Sequence, residues 1–208
     1  FPDPYFALEV ASVLHKKVTD VVTYEMLAGY SGKLDCGPSP LSSIEGIHYL
    51  SGLTEFNCAK NDLKEIPSEF GELTRLKSVN LMKAYELETI PPEIGNLQNL
   101  TFLRLDLSSL KVLPKEIGKL KNLRILNISN TKIVSLPDEI GDLENLEFLD
   151  LHSNGIASIP ESICNLTKLK ALDIGQTNLE TLPKDIGNLT ELVRLDLFGC
   201  QLKTLPSS

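Results

Sequence analysis

The sequence predicts an α/β solenoid, with short parallel strands lining one face, tight helical turns lining the other, and a helical segment closing its start. Three observations predict it. Leu97, Leu120, Leu143, Leu166 and Leu189 recur at a constant step of 23 residues, each opening the same frame. Inside the frame, pairs such as Leu126/Ile128 and Leu149/Leu151 place apolar residues at the period of a strand. A Leu-Pro-x-x-Ile-Gly segment follows, as at Leu113–Gly118 and Leu136–Gly141, and suits a tight helical turn with proline at its first position. One such unit cannot cover its own apolar side. Units therefore stack strand on strand into a right-handed superhelix, with the parallel sheet on the concave face and short helical or 3-10 turns on the convex face.

One full unit reads Leu120, Leu123, Leu126, Ile128, Thr131, Ile133, Leu136, Pro137, Ile140 and Gly141. The frame holds from Leu50 onward, and a divergent earlier turn (Leu34, Cys36, Leu41, Ile44, Ile47) steps into it, giving about eight turns. The unit from Leu73 to Leu97 has 24 residues, the extra one falling in Ala84–Glu86, where a small bulge is expected. Residues 1–33 do not follow the frame. Asp3-Pro4 reads as an N-cap and first helical position ahead of Phe6, Val10, Val13 and Leu14, and Thr23 caps a second short helix over Thr23–Leu27. The predicted organisation is a helical cap over 1–33, hiding the apolar end of the stack, and a repeat domain over 34–208.

Composition narrows the function. The chain has 208 residues and a net charge of −8, from 20 basic and 28 acidic side chains. That balance argues against nucleic acid, whose phosphates call for clustered Lys and Arg. No apolar run approaches the ~18 residues of a membrane helix, so no membrane insertion is expected in this segment. Residues 1–20 also lack the order of a signal peptide. Three histidines, four scattered cysteines and no tryptophan leave few parts for a metal site or a nucleophilic triad. A non-enzymatic protein without metal or cofactor is expected.

Outward-facing strand residues form columns across neighbouring turns. The middle column reads Asp35, Asn57, Asn80, Arg104, Asn127, Asp150, Asp173, Asp196. The column before it reads Glu55, Ser78, Phe102, Ile125, Phe148, Ala171, Arg194, and the column after it Ala59, Met82, Asp106, Ser129, His152, Gly175, Phe198. Phe102, Ile125 and Phe148 make an apolar strip with a polar rim, the pattern of a protein-binding centre. Phe and Ile also suit strands for packing alone. The candidate partner-binding residues are Phe102, Arg104, Asp106, Ile125, Asn127, Phe148, Asp150, His152, Asp173, Arg194, Asp196 and Phe198. The carboxylates among them favour a basic or polar partner.

A hydrolytic alternative would use Asp150 and His152 with Ser153 or Ser129. A flat sheet offers no loop for an oxyanion hole, which weighs against it. Cys36 and Cys58 replace inward leucines in adjacent turns, Cys164 stands at a glycine position and Cys200 at the turn position. All four read as small core residues with free thiols. His15 and His48 read as surface residues. Asn99, Asn127, Asn165 and Asn188 begin Asn-x-Ser/Thr sequons that the repeat text itself generates.

The frame resembles the leucine-rich-repeat family over about residues 34–208. The Leu-Pro-x-x-Ile-Gly-x-Leu blocks at Leu113–Leu120, Leu136–Leu143 and Leu182–Leu189 resemble the 23-residue class of Ras-suppressor-like proteins, plant intracellular repeat proteins and many bacterial ones. The turn position that the family usually gives to Asn holds Ser39, Asn61, Ser108, Thr131, Asn154, Thr177 and Cys200, so no continuous asparagine ladder is expected there. The start resembles the cap of the internalins, surface-exposed proteins of Gram-positive bacteria, through Phe1-Pro2-Asp3, Ala7 to Leu14, Val18 to Thr23, and Ser43-Ile44-Glu45-Gly46-Ile47-His48-Tyr49-Leu50. That resemblance implies an exported bacterial protein, extracellular or at the cell surface, its signal peptide already removed, binding a protein partner. The repeat class implies the alternative, an intracellular scaffold in the cytoplasm. The chain stops mid-repeat at Leu205-Pro206-Ser207-Ser208 without covering Leu195, Leu197, Leu202 and Leu205, so a missing C-terminal cap, or end-to-end contact with another molecule, is expected.

Overall fold

The computed structural model describes residues 1–206. Ser207 and Ser208, the predicted end of the repeat domain, lie outside the described residues. Two helices, α1 (Pro4–Val13) and α2 (Tyr24–Gly29), precede eight parallel strands that pair strictly in chain order. The strands are β1 (Ser31–Asp35), β2 (Gly52–Asn57), β3 (Ser78–Asn80), β4 (Phe102–Arg104), β5 (Ile125–Asn127), β6 (Phe148–Asp150), β7 (Ala171–Asp173) and β8 (Arg194–Asp196). Between strands the chain crosses to the far side, through 3-10 turns such as Lys115–Lys119 and Asp138–Asp142. The sheet is open, the architecture of a solenoid. β1 begins at Ser31, so the first strand straddles the 33/34 division expected from the sequence.

The core is one continuous column of the frame's leucines and isoleucines. Leu120, Leu123, Leu126, Ile128 and Ile133 are all fully buried, and so are their counterparts one turn on. Leu34, Leu41 and Ile47 of the divergent first turn are equally buried, so it is a complete turn of the stack. No single turn holds enough apolar surface to fold alone, and stability comes from the contact of each turn with the next.

Backbone geometry repeats as faithfully as the leucines. From the second turn onward the residue before the turn position is left-handed: Lys60, Lys83, Leu107, Asn130, Ser153 and Gln176 have φ between 52° and 62°, and Gly199 has φ 75°. For a non-glycine residue this costs about 1 kcal/mol or more. Each of the six gains a compensating bond to the next turn, for example from the Leu107 N–H to the Ser129 carbonyl (3.0 Å) and from the Asn130 N–H to the His152 carbonyl (2.7 Å).

The prolines sit one place earlier than expected. Pro67, Pro114, Pro137 and Pro160 are N-caps in an extended conformation, with φ near −70°, and only at Pro91-Pro92 does a proline take the first 3-10 position. The reason is that the proline carbonyl closes the turn: the Ile117 N–H donates to Pro114 O and the Ile140 N–H to Pro137 O, each at 3.0 Å. The glycine of the motif admits the next turn's backbone. A Cβ on Gly118 would meet the Glu139 carbonyl oxygen at 2.4 Å, and one on Gly141 would meet that of Ser162 at 2.2 Å. Where Cys164 replaces this glycine, the following 3-10 turn shrinks to Ile186–Asn188.

The extra residue at Ala84–Glu86 leaves the sheet untouched. β3 and β4 pair without interruption, while Tyr85 is pushed out to solvent between two tight turns that leave Ala84 buried at the turn position. The register shift in the sheet lies instead between Gly32 and Lys33. At the turn position there is no unbroken asparagine ladder. Asn154 spans two turns, donating to Leu151 O and Ile128 O and accepting from Thr131. A different ladder runs beside the strands, where Asn99, Asn122 and Asn145 each donate to a carbonyl of the preceding turn. All four cysteines are free. Cys36, Cys58 and Cys164 are buried, Cys200 is half-buried, and the neighbouring Cys58 thiol together with burial pushes the ionisation of Cys36 far up.

α1 docks through Phe6, Val10 and Ala11, whereas Val13 and Leu14 are only half-buried. Asp3 fastens it. One carboxylate oxygen accepts from the Tyr5 and Phe6 N–H groups, and the other accepts from Ser42 N, Ser42 Oγ and Ser43 N of the first turn. Burial pushes this carboxyl up, but the donors outweigh it and hold it below the usual carboxylate range. α2 starts on Thr23 as expected and runs to Gly29.

Two outcomes follow from these contacts. Asp3→Ala should destabilise the chain by about 2–4 kcal/mol in urea unfolding, since it removes a cap and a charged latch together. Gly118→Ala should cost about 2–3 kcal/mol by the same measurement, because its methyl group meets backbone that cannot swing aside.

Candidate functional site

The concave sheet assembles the residues singled out above. Phe102, Ile125 and Phe148 are consecutive partners on β4, β5 and β6, with Ser78 beyond one end and Ala171 beyond the other. Ile125 is 36% exposed, and Phe102 and Phe148 are half-buried. Arg194 extends the same column on β8. Arg104, Asn127, Asp150, Asp173 and Asp196 pair in register as the middle column. Asp106, His152 and Phe198 lie two residues further along their turns, and Phe198 at the far end is 74% exposed.

The middle column is partly committed to the fold. At five strand ends the Asn or Asp side chain accepts the N–H two residues on: Asn80 from Met82, Asn127 from Ser129, Asp150 from His152, Asp173 from Gly175 and Asp196 from Phe198, all at 2.9–3.1 Å, whereas Asn57 donates to Asp35 Oδ1 instead. These are Asx turns, and they explain why short polar residues fill the column. Arg104 breaks the pattern by pairing with Asp106, Nε to Oδ1 at 2.6 Å and Nη2 to Oδ2 at 3.2 Å. Asp106 is only 4% exposed as a result, so this candidate reaches the surface through Arg104 and has almost no area of its own to offer.

The carboxylates differ in their neighbours. Asp173 lies 3.4 Å from His152 Nδ1 and 3.6 Å from Arg194 Nη2, and Asp196 shares the same Arg194 nitrogen at 3.4 Å. Asp150 carries no ion pair among the described residues. Burial pushes its carboxyl above the usual range, with the Asp173 charge adding to the shift against the pull of the His152 N–H. The proposed hydrolytic set is not assembled around His152. The Ser153 hydroxyl bonds Gln176 Oε1, and the Ser129 hydroxyl bonds Asn127 Oδ1.

Two features escaped the sequence reading. Along the strip's outer edge, Arg124, Glu147 and Lys170 form an ion-pair ladder on three successive turns, Glu147 accepting from Arg124 Nε at 2.6 Å and Lys170 Nζ at 2.9 Å. These bonds push the Glu147 carboxyl down to about 2. Equal spacing with alternating charge was the signal that could have revealed it. The second is a groove of about 650 Å³ between the cap and the first turns, lined by Phe1, Val10, Leu27, His48, Tyr49 and Glu69 among others. His48, expected on the surface, is half-buried there against Tyr49, ring centroids 4.1 Å apart, because its turn folds under the cap.

A family model described as a leucine-rich repeat region matches residues 108–208. Internalin J of Listeria monocytogenes is 40% identical over 63 residues, which is 30% of this chain and 7% of that protein. Among solved structures, a leucine-rich-repeat protein of Leptospira interrogans superposes with TM-score 0.57 and 30% identity, covering 79% of this chain and 54% of its own. A TDR receptor superposes with TM-score 0.70 and 31% identity, over 82% of this chain and 29% of its own. The ectodomain of an Arabidopsis thaliana membrane receptor kinase shares the fold at TM-score 0.62 and 24% identity, over 83% of this chain and 23% of its own. The chain thus spans well under two thirds of the relatives it matches. Among the described residues, no helix is long and apolar enough to cross a membrane.

The raised Asp150 carboxyl has a measurable sign. A folded-state pKa above the unfolded value means that the ionised group costs stability at neutral pH, and the cost vanishes as pH falls through the raised value. Asp150→Asn keeps an oxygen for the His152 N–H. It should raise Tm at pH 7 by about 1–3 °C, with no gain near pH 3, as read by scanning calorimetry.

Proposed function

We propose that this chain, a leucine-rich-repeat protein, is a non-enzymatic recognition module whose concave sheet binds a protein partner. The observation that carries the reading is the run of Phe102, Ile125 and Phe148 in register on three neighbouring strands of an otherwise polar face. Apolar side chains left partly in water and rimmed by polar groups gain most when a partner covers them. In this reading residues 1–33 close the apolar end of the stack, and the repeats from 34 onward carry the contact. The partner face takes in all twelve candidates, Asp106 acting through Arg104.

The place of action is an exported bacterial surface or secreted protein. The internalin relative and the internalin-like opening of the chain support it. An intracellular scaffold is the second reading, favoured by the Leu-Pro-x-x-Ile-Gly repeats. Protease shaving of intact producing cells separates the two: a surface protein is lost, and a cytoplasmic one is spared.

For the face itself, the double variant Phe102→Ala with Phe148→Ala should weaken partner capture by about tenfold or more while lowering folding stability by no more than about 1–2 kcal/mol. Surface plasmon resonance with the captured partner and urea unfolding read the two effects. Unchanged affinity would reduce the strip to sheet packing.

A further inference from the structure

The concave face pairs almost every charge it carries near the strip. Lys33 holds Asp35, Arg104 holds Asp106, Arg124 and Lys170 hold Glu147, and Arg194 is shared by Asp173 and Asp196. Asp150 is the exception beside the aromatics. It lies two residues from Phe148 on β6, on the same face, between Asn127 and Asp173 of the adjoining strands. One of its oxygens is taken by the His152 N–H. Around it stand the Ser129 hydroxyl, the His152 ring and the Asp173 carboxylate, and among the described residues no lysine or arginine pairs with it.

We propose that Asp150 is the seat for a cationic side chain of the partner, a lysine or arginine whose aliphatic stem lies along Ile125 and Phe148 while its charged head meets the carboxylate. The inference rests on the recognition reading above and names the chemistry of the partner at its centre. Three facts converge on it. Half-buried apolar groups and a half-buried carboxylate lie side by side, matching the stem and head of a long basic side chain. The apolar strip ends at Ala171, so the stem has a defined track across Ile125 and Phe148. Leaving a carboxylate partly desolvated and unpaired works against the fold, and such costs are retained where a site uses them. An acidic side chain at the same place would meet both Asp150 and Asp173.

Small probes test the seat on the intact chain. The n-hexylammonium ion carries a stem and a positive head, n-hexanoate the same stem with a negative head, and n-hexanol a neutral one. Titrated by two-dimensional NMR, hexylammonium should saturably shift the Ile125 methyl groups and the His152 amide, weakening as salt rises, while hexanoate should not. Asp150→Asn should reduce hexylammonium affinity about fivefold or more. Asp35→Asn, at a carboxylate already held by Lys33 at the far end of the sheet, should leave it within about twofold. Equal shifts by hexanoate and hexylammonium would overturn the proposal, as would undiminished binding to the Asp150→Asn variant.

The captured partner separates this inference from the reading beneath it. If Phe102→Ala with Phe148→Ala abolishes capture and Asp150→Asn does not, the cation seat fails and recognition on this face stands. If neither variant affects capture, both fail. The inference is upheld when both weaken capture and the partner loses the same affinity on replacing one of its own basic residues.

Discussion

The hydrogen bonds that carry each strand onto the next hold neighbouring turns about 4.8 Å apart on the concave side, and everything else must accept that pitch. The convex side meets it by stripping side chains from the contact. Gly71, Gly95, Gly118 and Gly141 let the next turn's carbonyl lie where a methyl group would otherwise stand. On the descending side the left-handed residues from Lys60 to Gln176 turn an N–H toward the following turn instead of toward water. The leucines fill what lies between. Hydrophobic burial supplies most of the driving force, but the pitch decides which residues can occupy the contact positions.

That division explains what the sequence disclosed. The inward leucines and the strand registers were legible, because a side chain that must be apolar leaves a plain periodic mark. The left-handed positions were not, since Lys60, Leu107 and Ser153 share no chemistry and the fold constrains only their backbone. Asp106 was misleading for a related reason: alternation puts it on the outer face, where it is nonetheless buried beneath its bonds from Arg104. The extra residue near Tyr85 was visible as a count, yet where it would be absorbed depended on turn geometry outside the sheet. Of the candidate site, the columns were readable and the bonding within them was not.

The resulting face has two kinds of polar residue. Arg124, Glu147 and Lys170 satisfy one another along the rim, and Asn80, Asn127 and Asp173 spend an acceptor on closing their own strands. Few groups are left with unfilled bonding capacity, and they lie close to the aromatic strip. A partner that covers the strip therefore desolvates mostly groups that keep their bonds inside the chain, which lowers the cost of burying a largely polar sheet.

The Asx turns also bear on how such a surface can change over generations. The middle column is written into the backbone, since replacing Asn127 or Asp173 takes an acceptor from a strand end. Phe102, Ile125 and Phe148 hold up nothing beyond themselves. A lineage could rewrite that one column, exchanging one clientele for another, while the neighbouring column stayed frozen by the needs of the fold. The sheet is thus a printed form with one blank line, and the spacing of that line from turn to turn sets the grain at which any new text must be read.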